Sequence, residues 1–572
     1  MLKRKENTPV NSHWDSEVRL LAWLATCVSV FSFLFYFQHE KTLLYGDAVA
    51  HINIARRVFD SKTPGLLQLG TVWLPLPHLL MIPFIVSMKM WRTGAGGSIP
   101  SMAAYVFGVI GIFRLTRNAL SQAVNVDGPA SIAAWIAALV YAANPNLIYM
   151  QSTAMGESLY LAFFIWAIVY FAEAIRGEAN ALTTCALCLG AASLTRYDGW
   201  FLTAGIAGLV LLDLLSGERS ILRRPTSDGG RASLQGRVSV PDKTGALAPA
   251  AASIKFILIA AAAPALWLAY NGIVYRNPLE FENGPYSAKA IERRTQTAGN
   301  PGHPGTGSLL ASSLYFSKAA QDNLAENQWL QRAWVALLLV ALVAGLYLLR
   351  AKSYSAAMSL LLLLIPLPFY ALSIAYGGVP IFIPQWWPFS HYNTRYGLQM
   401  LPAFAIALGV LTCIVLSSNW QRRLKTVFLV ATLLFVAASY ATVWRAGPIT
   451  LQEAETNMRT RNQLEKQVAT WLEKLPANAT LLMYLGDHVG AVQQAGIPLS
   501  HTINEGNHRT WKQPSDPEGL WERALANPSQ NAEYVLAFEG DPVFQAVHAM
   551  QLRELVEIHV TGQARAILYR AR

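Results

Sequence analysis

LLAWLATCVSVFSFLFYF (residues 20–37) runs without a single charge, and YGDAVAHINIARR (residues 45–57) follows it with an acid, an imidazole and two guanidinium groups. The first stretch is long enough to carry a helix across roughly 30 Å of hydrocarbon with every backbone group bonded inside the segment. The second is too polar to stay there. Similar apolar runs recur near residues 73–91, 100–119, 130–149, 157–175, 181–195, 199–216, 253–274, 333–350, 355–376, 396–418 and 425–444. With 53% hydrophobic and 14% charged residues, such a chain has too little polar surface for a large soluble protein. Its 17 Trp and 22 Tyr suit the two membrane interfaces.

A net charge of +11 would suggest nucleic acid in a soluble protein, but here Lys and Arg fall in short loops beside apolar runs. Topology is the simpler explanation, and no nucleic-acid partner is expected. The start, MLKRKENTPVNSHWDSEVR, is basic and has no small-residue cleavage site near the apolar run, so it reads as an uncleaved signal anchor with residues 1–19 cytoplasmic. If residues 73–91 also crossed, the basic loops at Arg114/Arg117, 217–252, Arg350/Lys352 and Arg422/Arg423/Lys425 would all fall outside. Trp73-Leu74-Pro75-Leu76-Pro77-His78 instead opens a helix along the outer interface, its two prolines suiting a helix start.

The expected architecture is therefore a polytopic α-helical membrane protein with about eleven transmembrane helices plus an interfacial helix over residues 20–445. It has an outer catalytic loop at 38–99, a disordered cytoplasmic loop at 217–252 and an outer loop at 275–332; the short 181–195 run sets the parity of all that follows. From Ala446 the composition turns mixed, and residues 446–572 read as a small extracytoplasmic α/β domain. Its strands are expected at Thr480–Tyr484, Tyr534–Phe538, Glu557–Val560 and Ala566–Tyr569, with helices over 450–474, Val489–Ala495 and Gly519–Ala526. Cys27, Cys185, Cys188 and Cys413 lie in apolar runs and read as packing residues.

Ionisable groups beside membrane spans are costly, so their positions carry information. In the 45–57 stretch a helix from Asp47 would set Asp47 and His51 on one face, with Arg56 near its end; the plain alternative is an N-cap role for Asp47. Glu157 opens an apolar run after Met155-Gly156, where a helix N-terminus favours a carboxylate. His391-Tyr392-Asn393-Thr394-Arg395-Tyr396 leads into another run; Arg395 there can hold phosphate bidentately or simply snorkel. Arg196 and Asp198 in LTRYDGW (194–200) read as a mutual pair. Asp487-His488 and His501/His508 are spaced too irregularly for a metal site and read as surface histidines.

Taken in order, these motifs resemble the GT-C superfamily of polyprenol-phosphate-dependent glycosyltransferases, which includes protein O-mannosyltransferases and lipid A aminoarabinose transferases. Asp47 occupies the place of the family's acid in the first outer loop, and WLPLPHLL (73–80) that of its juxtamembrane helix. MGESLYLAFF (155–164) is similar to the second-acid motif of membrane mannosyltransferases, and TRYGLQMLPAFAI (394–406) to the entry into a late span. One acid stands at Asp47 where the family has an adjacent acidic pair.

The resemblance implies transfer of a sugar, a hexose such as mannose, from a polyprenyl-phosphate donor to a lipid, glycan or protein acceptor, with inversion. The setting would be a bacterial inner (plasma) membrane with the active site outside. Such transfer needs a base for the acceptor hydroxyl and positive charge for the leaving phosphate. Asp47 is expected as the base and Glu157 as its catalytic companion. Arg395, Lys289 and Arg293 are expected at the phosphate, with His51, Arg56, His391 and Tyr396 around the substrate. Asp47 and Glu157 could share Mg²⁺ or Mn²⁺, which favour oxygen ligands. A secondary transporter would place its acids at mid-membrane depth; a non-enzymatic envelope assembly factor would tolerate loss of Asp47.

The orientation has a direct check. In a background lacking the four native cysteines, Ser515→Cys should react with an impermeant thiol reagent in intact cells and Gln235→Cys should not; the reverse pattern would invert the topology.

Overall fold

The structure is a computed structural model, and it describes residues 12–124, 127–215, 243–295, 302–352, 358, 360–507 and 518–572. Most of the loop expected over 217–252 lies outside these residues, but its last part does not: a helix already begins at Lys243. Among the described residues eight helices are long and apolar enough to cross a membrane, or nine if one bent pair counts as a single span, so the chain is a multi-pass membrane protein.

The helices α1 (Ser12–Gln38), α2 (Gly46–Arg57), α3 (Leu76–Ile85), α4 (Met88–Arg92) and α5 (Ala95–Val124) come first. α3 has ten residues, about 15 Å of helix, which is too short to span. It begins at the expected prolines and packs on α2 and α5. Then come α6 (Asp127–Ala142), α7 (Pro145–Gln151), α8 (Glu157–Ile175), α9 (Ala181–Ser193), α10 (Asp198–Leu215) and α11 (Lys243–Val274). The single run expected at 130–149 is broken: α7 departs from α6 by 63°. Asn144 causes this, since its side chain caps the amide of Leu147 while Pro145 supplies a first helical residue that needs no partner.

The later helices are α12 (Glu280–Asn283), α13 (Ala288–Thr295), α14 (Leu309–Asp322), α15 (Gln328–Lys352), α16 (Pro366–Tyr376), α17 (Leu401–Ser417) and α18 (Arg422–Ala446). α5 lies against α1, α6 and α8; α6 packs on α17, and α9 joins α8 to α11. α8 is buried along most of its length and spans about 28 Å, from Glu157 at one end to Glu173 near the other. Glu173 is paired with Arg114 of α5 there, and Glu17 with Arg117 nearby.

α19 (Ile449–Leu472) then leads into a five-stranded sheet of β1 (Leu481–Met483), β2 (Thr502–Ile503), β3 (Tyr534–Phe538), β4 (Arg553–Ile558) and β5 (Ala566–Arg570). The order is β2-β1-β3-β5-β4, with β1 parallel to β2 and β3, and β5 antiparallel to β3 and β4. β2 carries no run long enough to have been expected, and β4 starts four residues before its expected position. Alternation sorts the two faces. Leu482, Val535 and Ala537 pack with Trp521 and Val543, while Leu481, Met483, Leu536 and Phe538 face a core that includes Leu464, Val468 and Leu472 of α19. α20 (Leu485–Ala495) packs beside α19 on that side. His488, expected at the surface, is buried, because the backbone leaves helical geometry at this residue and its ring stacks on Phe538.

This C-terminal unit is fixed to the segment after α1. Asp60 accepts the amides of Leu499 and Ser500 and pairs with Arg56 at 2.8 Å. Burial raises the Asp60 carboxyl, but the hydrogen bonds from Ser500 and Arg56 outweigh it and hold the group below the usual carboxylate range. Asn53 donates to Gln493 at 2.6 Å, and Gln68 to the Gly506 carbonyl at 2.9 Å.

Candidate active site

Three acids begin helices at the same end of the bundle: Asp47 in the first turn of α2, Glu157 as the first residue of α8 and Asp198 as the first of α10. Helix N-termini leave backbone amides unpaired and favour negative charge. Asp47 is not the N-cap; Tyr45 holds that position without a side-chain cap, which leaves the Asp47 carboxylate for other partners.

The partner is Arg395. It stands in a short 3-10 turn, Thr394–Met400, that leads into α17. Asn393, with φ 56°, turns the chain into it, a left-handed conformation that Asn tolerates. A Cβ at Gly397 would collide with the backbone of Ala319, so only glycine lets this turn lie directly on α14. Three nitrogens of Arg395 then donate to three different carboxylates: Nε to Glu157 at 3.1 Å, Nη1 to Glu453 at 2.7 Å and Nη2 to Asp47 at 2.6 Å. The Tyr45 and Tyr396 rings lie 5.1 and 5.0 Å from the guanidinium.

A second cation completes the cluster. Arg196 donates to Glu157 at 3.1 Å, to Asp198 at 3.2 Å and to the Tyr370 hydroxyl at 3.0 Å, and Tyr370 in turn donates to Asp198 at 2.6 Å. The expected Arg196–Asp198 pair exists but is one edge of a larger network. Among the described residues Glu157 Oε2, which is buried, has no hydrogen-bond partner. Exposure separates the three acids on Arg395: the Glu157 and Glu453 side chains are each 1% exposed and that of Asp47 is 39%.

Glu453 escaped the sequence reading. It lies one turn into α19, in a segment whose mixed polarity marked the start of a soluble domain. Yet it is nearly sealed from solvent and also accepts the amides of Asn393 and Thr394 and the Thr394 hydroxyl. The available signal was an acid within ten residues of the end of an apolar run.

The other expected residues divide. Tyr396 stacks near both guanidinium groups. His51 is buried on α2 and hydrogen-bonded to His78 at 2.8 Å, and burial holds its imidazole below the ordinary value against the pull of Asp47 and Glu157. His391 Nε2 is buried without a partner. Arg56 does not face this cluster: its guanidinium serves Asp60 and the Ile85 and Val86 carbonyls, which the end of α3 leaves free. Lys289 pairs with Glu282 and Arg293 is exposed on α13; among the described residues neither is bonded to Asp47, Glu157 or Arg395. Asp47 and Glu157, expected to share a divalent ion, each give one oxygen to the same guanidinium. Among the described residues no group of three or more His, Cys, Asp or Glu side chains could hold a metal.

No family model matches the chain, and no curated protein matches it. Among solved structures it is similar to ArnT from Cupriavidus metallidurans, in the apo state (TM-score 0.55, 14% identity, 98% of this chain and 99% of that one) and bound to undecaprenyl phosphate (TM-score 0.54, 14% identity, 97% and 98%). At that identity the likeness speaks for the fold, which is the one implied by the GT-C resemblance.

Removing Arg395 takes a buried cation from two buried carboxylates, whereas removing the Asp47 charge loosens a partly exposed contact. Arg395→Ala should therefore cost about 3–5 kcal/mol, and Asp47→Asn within about 1 kcal/mol, read as thermal unfolding in detergent. Equal stability of the two variants would show that Arg395 does not hold the cluster together.

Proposed function

We propose that this chain is a membrane glycosyltransferase that takes a sugar from a polyprenyl-phosphate donor and passes it to a hydroxyl-bearing acceptor at the extracytoplasmic face. The observation that carries this reading is Asp47, a carboxylate fixed by Arg395 yet open on one side, while the two acids beside it are sealed. A base must be both positioned and reachable. The fold likeness to a protein whose crystal structure holds undecaprenyl phosphate supports a polyprenyl phosphate as the donor carrier. The MGESLYLAFF motif alone supports a hexose as its sugar, and the acceptor can be lipid, glycan or protein.

In this mechanism Asp47 takes the acceptor's hydroxyl proton as that oxygen forms its bond to the anomeric carbon. The bond from that carbon to the phosphate oxygen breaks, and its electron pair leaves with the lipid phosphate. Attack from the face opposite the phosphate inverts the anomeric centre. Arg395 connects the two ends of the step: protonation of Asp47 weakens its charge-assisted bond to Nη2, which frees that N–H for the negative charge developing on the phosphate. Glu157 and Glu453 hold the guanidinium in place, so it acts as a fixed hub and not as a free phosphate clamp.

The test is Asp47→Asn. The amide is nearly isosteric and can still accept from Arg395, so a merely structural Asp47 should survive the change, whereas a base cannot. Transfer of labelled sugar from a polyprenyl-phosphate donor in membranes is expected to fall about 10²–10⁴-fold, at unchanged protein level. Near-normal transfer by the well-expressed variant would remove Asp47 as base and favour the assembly-factor alternative.

A further inference from the structure

The central three strands of the C-terminal sheet have an arrangement that opens a crevice. β1 connects through α20 to β2 on one side, and β2 then crosses to β3 on the other side of β1. Where connections from neighbouring parallel strands diverge, the loops at their carboxyl ends part, and that is where open α/β sheets bind ligands. A cavity of about 340 Å³ lies there, lined by Tyr484, Asp487 and His488 after β1 and by Phe538, Glu539 and Asp541 at the end of β3. It belongs to a different part of the chain from the Arg395 cluster and has no part in the transfer step.

The polar groups on its wall are unevenly satisfied. Asp541 accepts the amides of Phe538 and Phe544 and so closes the turn after β3. Burial pushes its carboxyl up to about 6. His488 is only 8% exposed and stacks on Phe538 with ring centres 3.9 Å apart, yet its Nδ1 has no hydrogen-bond partner, the Glu465 oxygen being 3.8 Å away. That nitrogen faces Glu465 of α19, while the ring itself forms part of the cavity wall. Asp487 is exposed and makes no hydrogen bond or ion pair with any described residue.

The charge around the cavity selects among ligands. Asp487, Glu539 and Asp541 line it; behind them Glu465 is paired with Arg461 at 3.0 Å and Glu505 with Arg57 at 3.9 Å, so the uncompensated charge is that of the lining acids. The cation at the rim is Arg565, which Glu539 at 3.7 Å and Glu557 at 3.1 Å already engage. Phosphates and carboxylates are repelled by such a wall, which separates this cavity from any lipid-phosphate site.

We propose that this cavity binds a protonated amine carried on a sugar-sized, hydroxylated ligand. Asp487 and Glu539 serve as counter-ions, and His488 and Tyr484 form the side walls. Tyr484 also lies close to Tyr286 of the segment after α11. The amine can reach the site as a free molecule or as the terminal unit of a glycan.

Glucosamine and glucose have the same ring and differ by the amine at one carbon, which makes them the probes of choice. Calorimetry on the full-length protein in detergent should show glucosamine binding at least about tenfold more tightly than glucose, with glucose 6-phosphate weaker than either. Asp487→Asn combined with Glu539→Gln should lose that preference and leave glycosyl transfer unchanged, since both residues are exposed and, among the described residues, neither is bonded to Arg395, Asp47, Glu157 or Glu453. Tighter binding of a glucosamine oligomer than of the monomer assigns the site to a glycan end; equal binding assigns it to a free amine. Equal affinity for glucose and glucosamine, binding of neither, retention of the preference by the double variant, or displacement of glucosamine by micromolar Ca²⁺ would each overturn the proposal.

Discussion

Burying the Arg395 guanidinium forces distant segments to converge, because a permanent cation that is 5% exposed must find anionic partners for its N–H groups. The partners come from positions 47, 157 and 453, so one side chain draws together the segment after α1, the start of α8 and the start of α19. Each carboxylate is itself prepared by its position. Asp47 and Glu157 sit at helix N-termini, and Glu453 takes the amides that the turn before α17 leaves unpaired. The arrangement closes tightly on two acids and leaves the third open, which is the asymmetry that a base in a bimolecular transfer needs.

The same construction makes the C-terminal unit part of the membrane bundle. α19 carries Glu453 into the cluster one turn after its start and ends in the core that covers one face of the sheet. Arg56 and Asp60 form a second tie, from α2 to the ends of α3 and to the loop before β2. The sheet is thus tied to the rest of the chain through α19 and through the Arg56–Asp60 pair.

Much of this was legible where one residue type leaves few options. Apolar runs of span length gave the membrane helices, and the prolines before Leu79 gave the short α3. The acids and the arginine at run ends, Asp47, Glu157 and Arg395, are brought together by the fold. Strand Tyr534–Phe538 appeared at its expected bounds, because its β-rich run is bounded by turn residues. What could not be read depended on contacts between distant segments. Glu453 looked like one of many surface acids on a polar helix, and Arg56 like a substrate cation beside Asp47, until the partner carbonyls of α3 were in place. The bend at Asn144 was hidden within continuous apolarity, although the Asn-Pro pair that causes it stood in plain view.

The central claim, that Asp47 held by Arg395 drives transfer from a polyprenyl-phosphate sugar, is most directly tested by the lipid-linked sugar pool of cells lacking this protein. Mass spectrometry of extracted polyprenyl phosphates should reveal one sugar-bearing species that accumulates on deletion. It should return to its normal level with the wild-type chain and remain high when position 47 carries asparagine. A pool unchanged by deletion, or one restored equally well by the asparagine variant, would contradict the account.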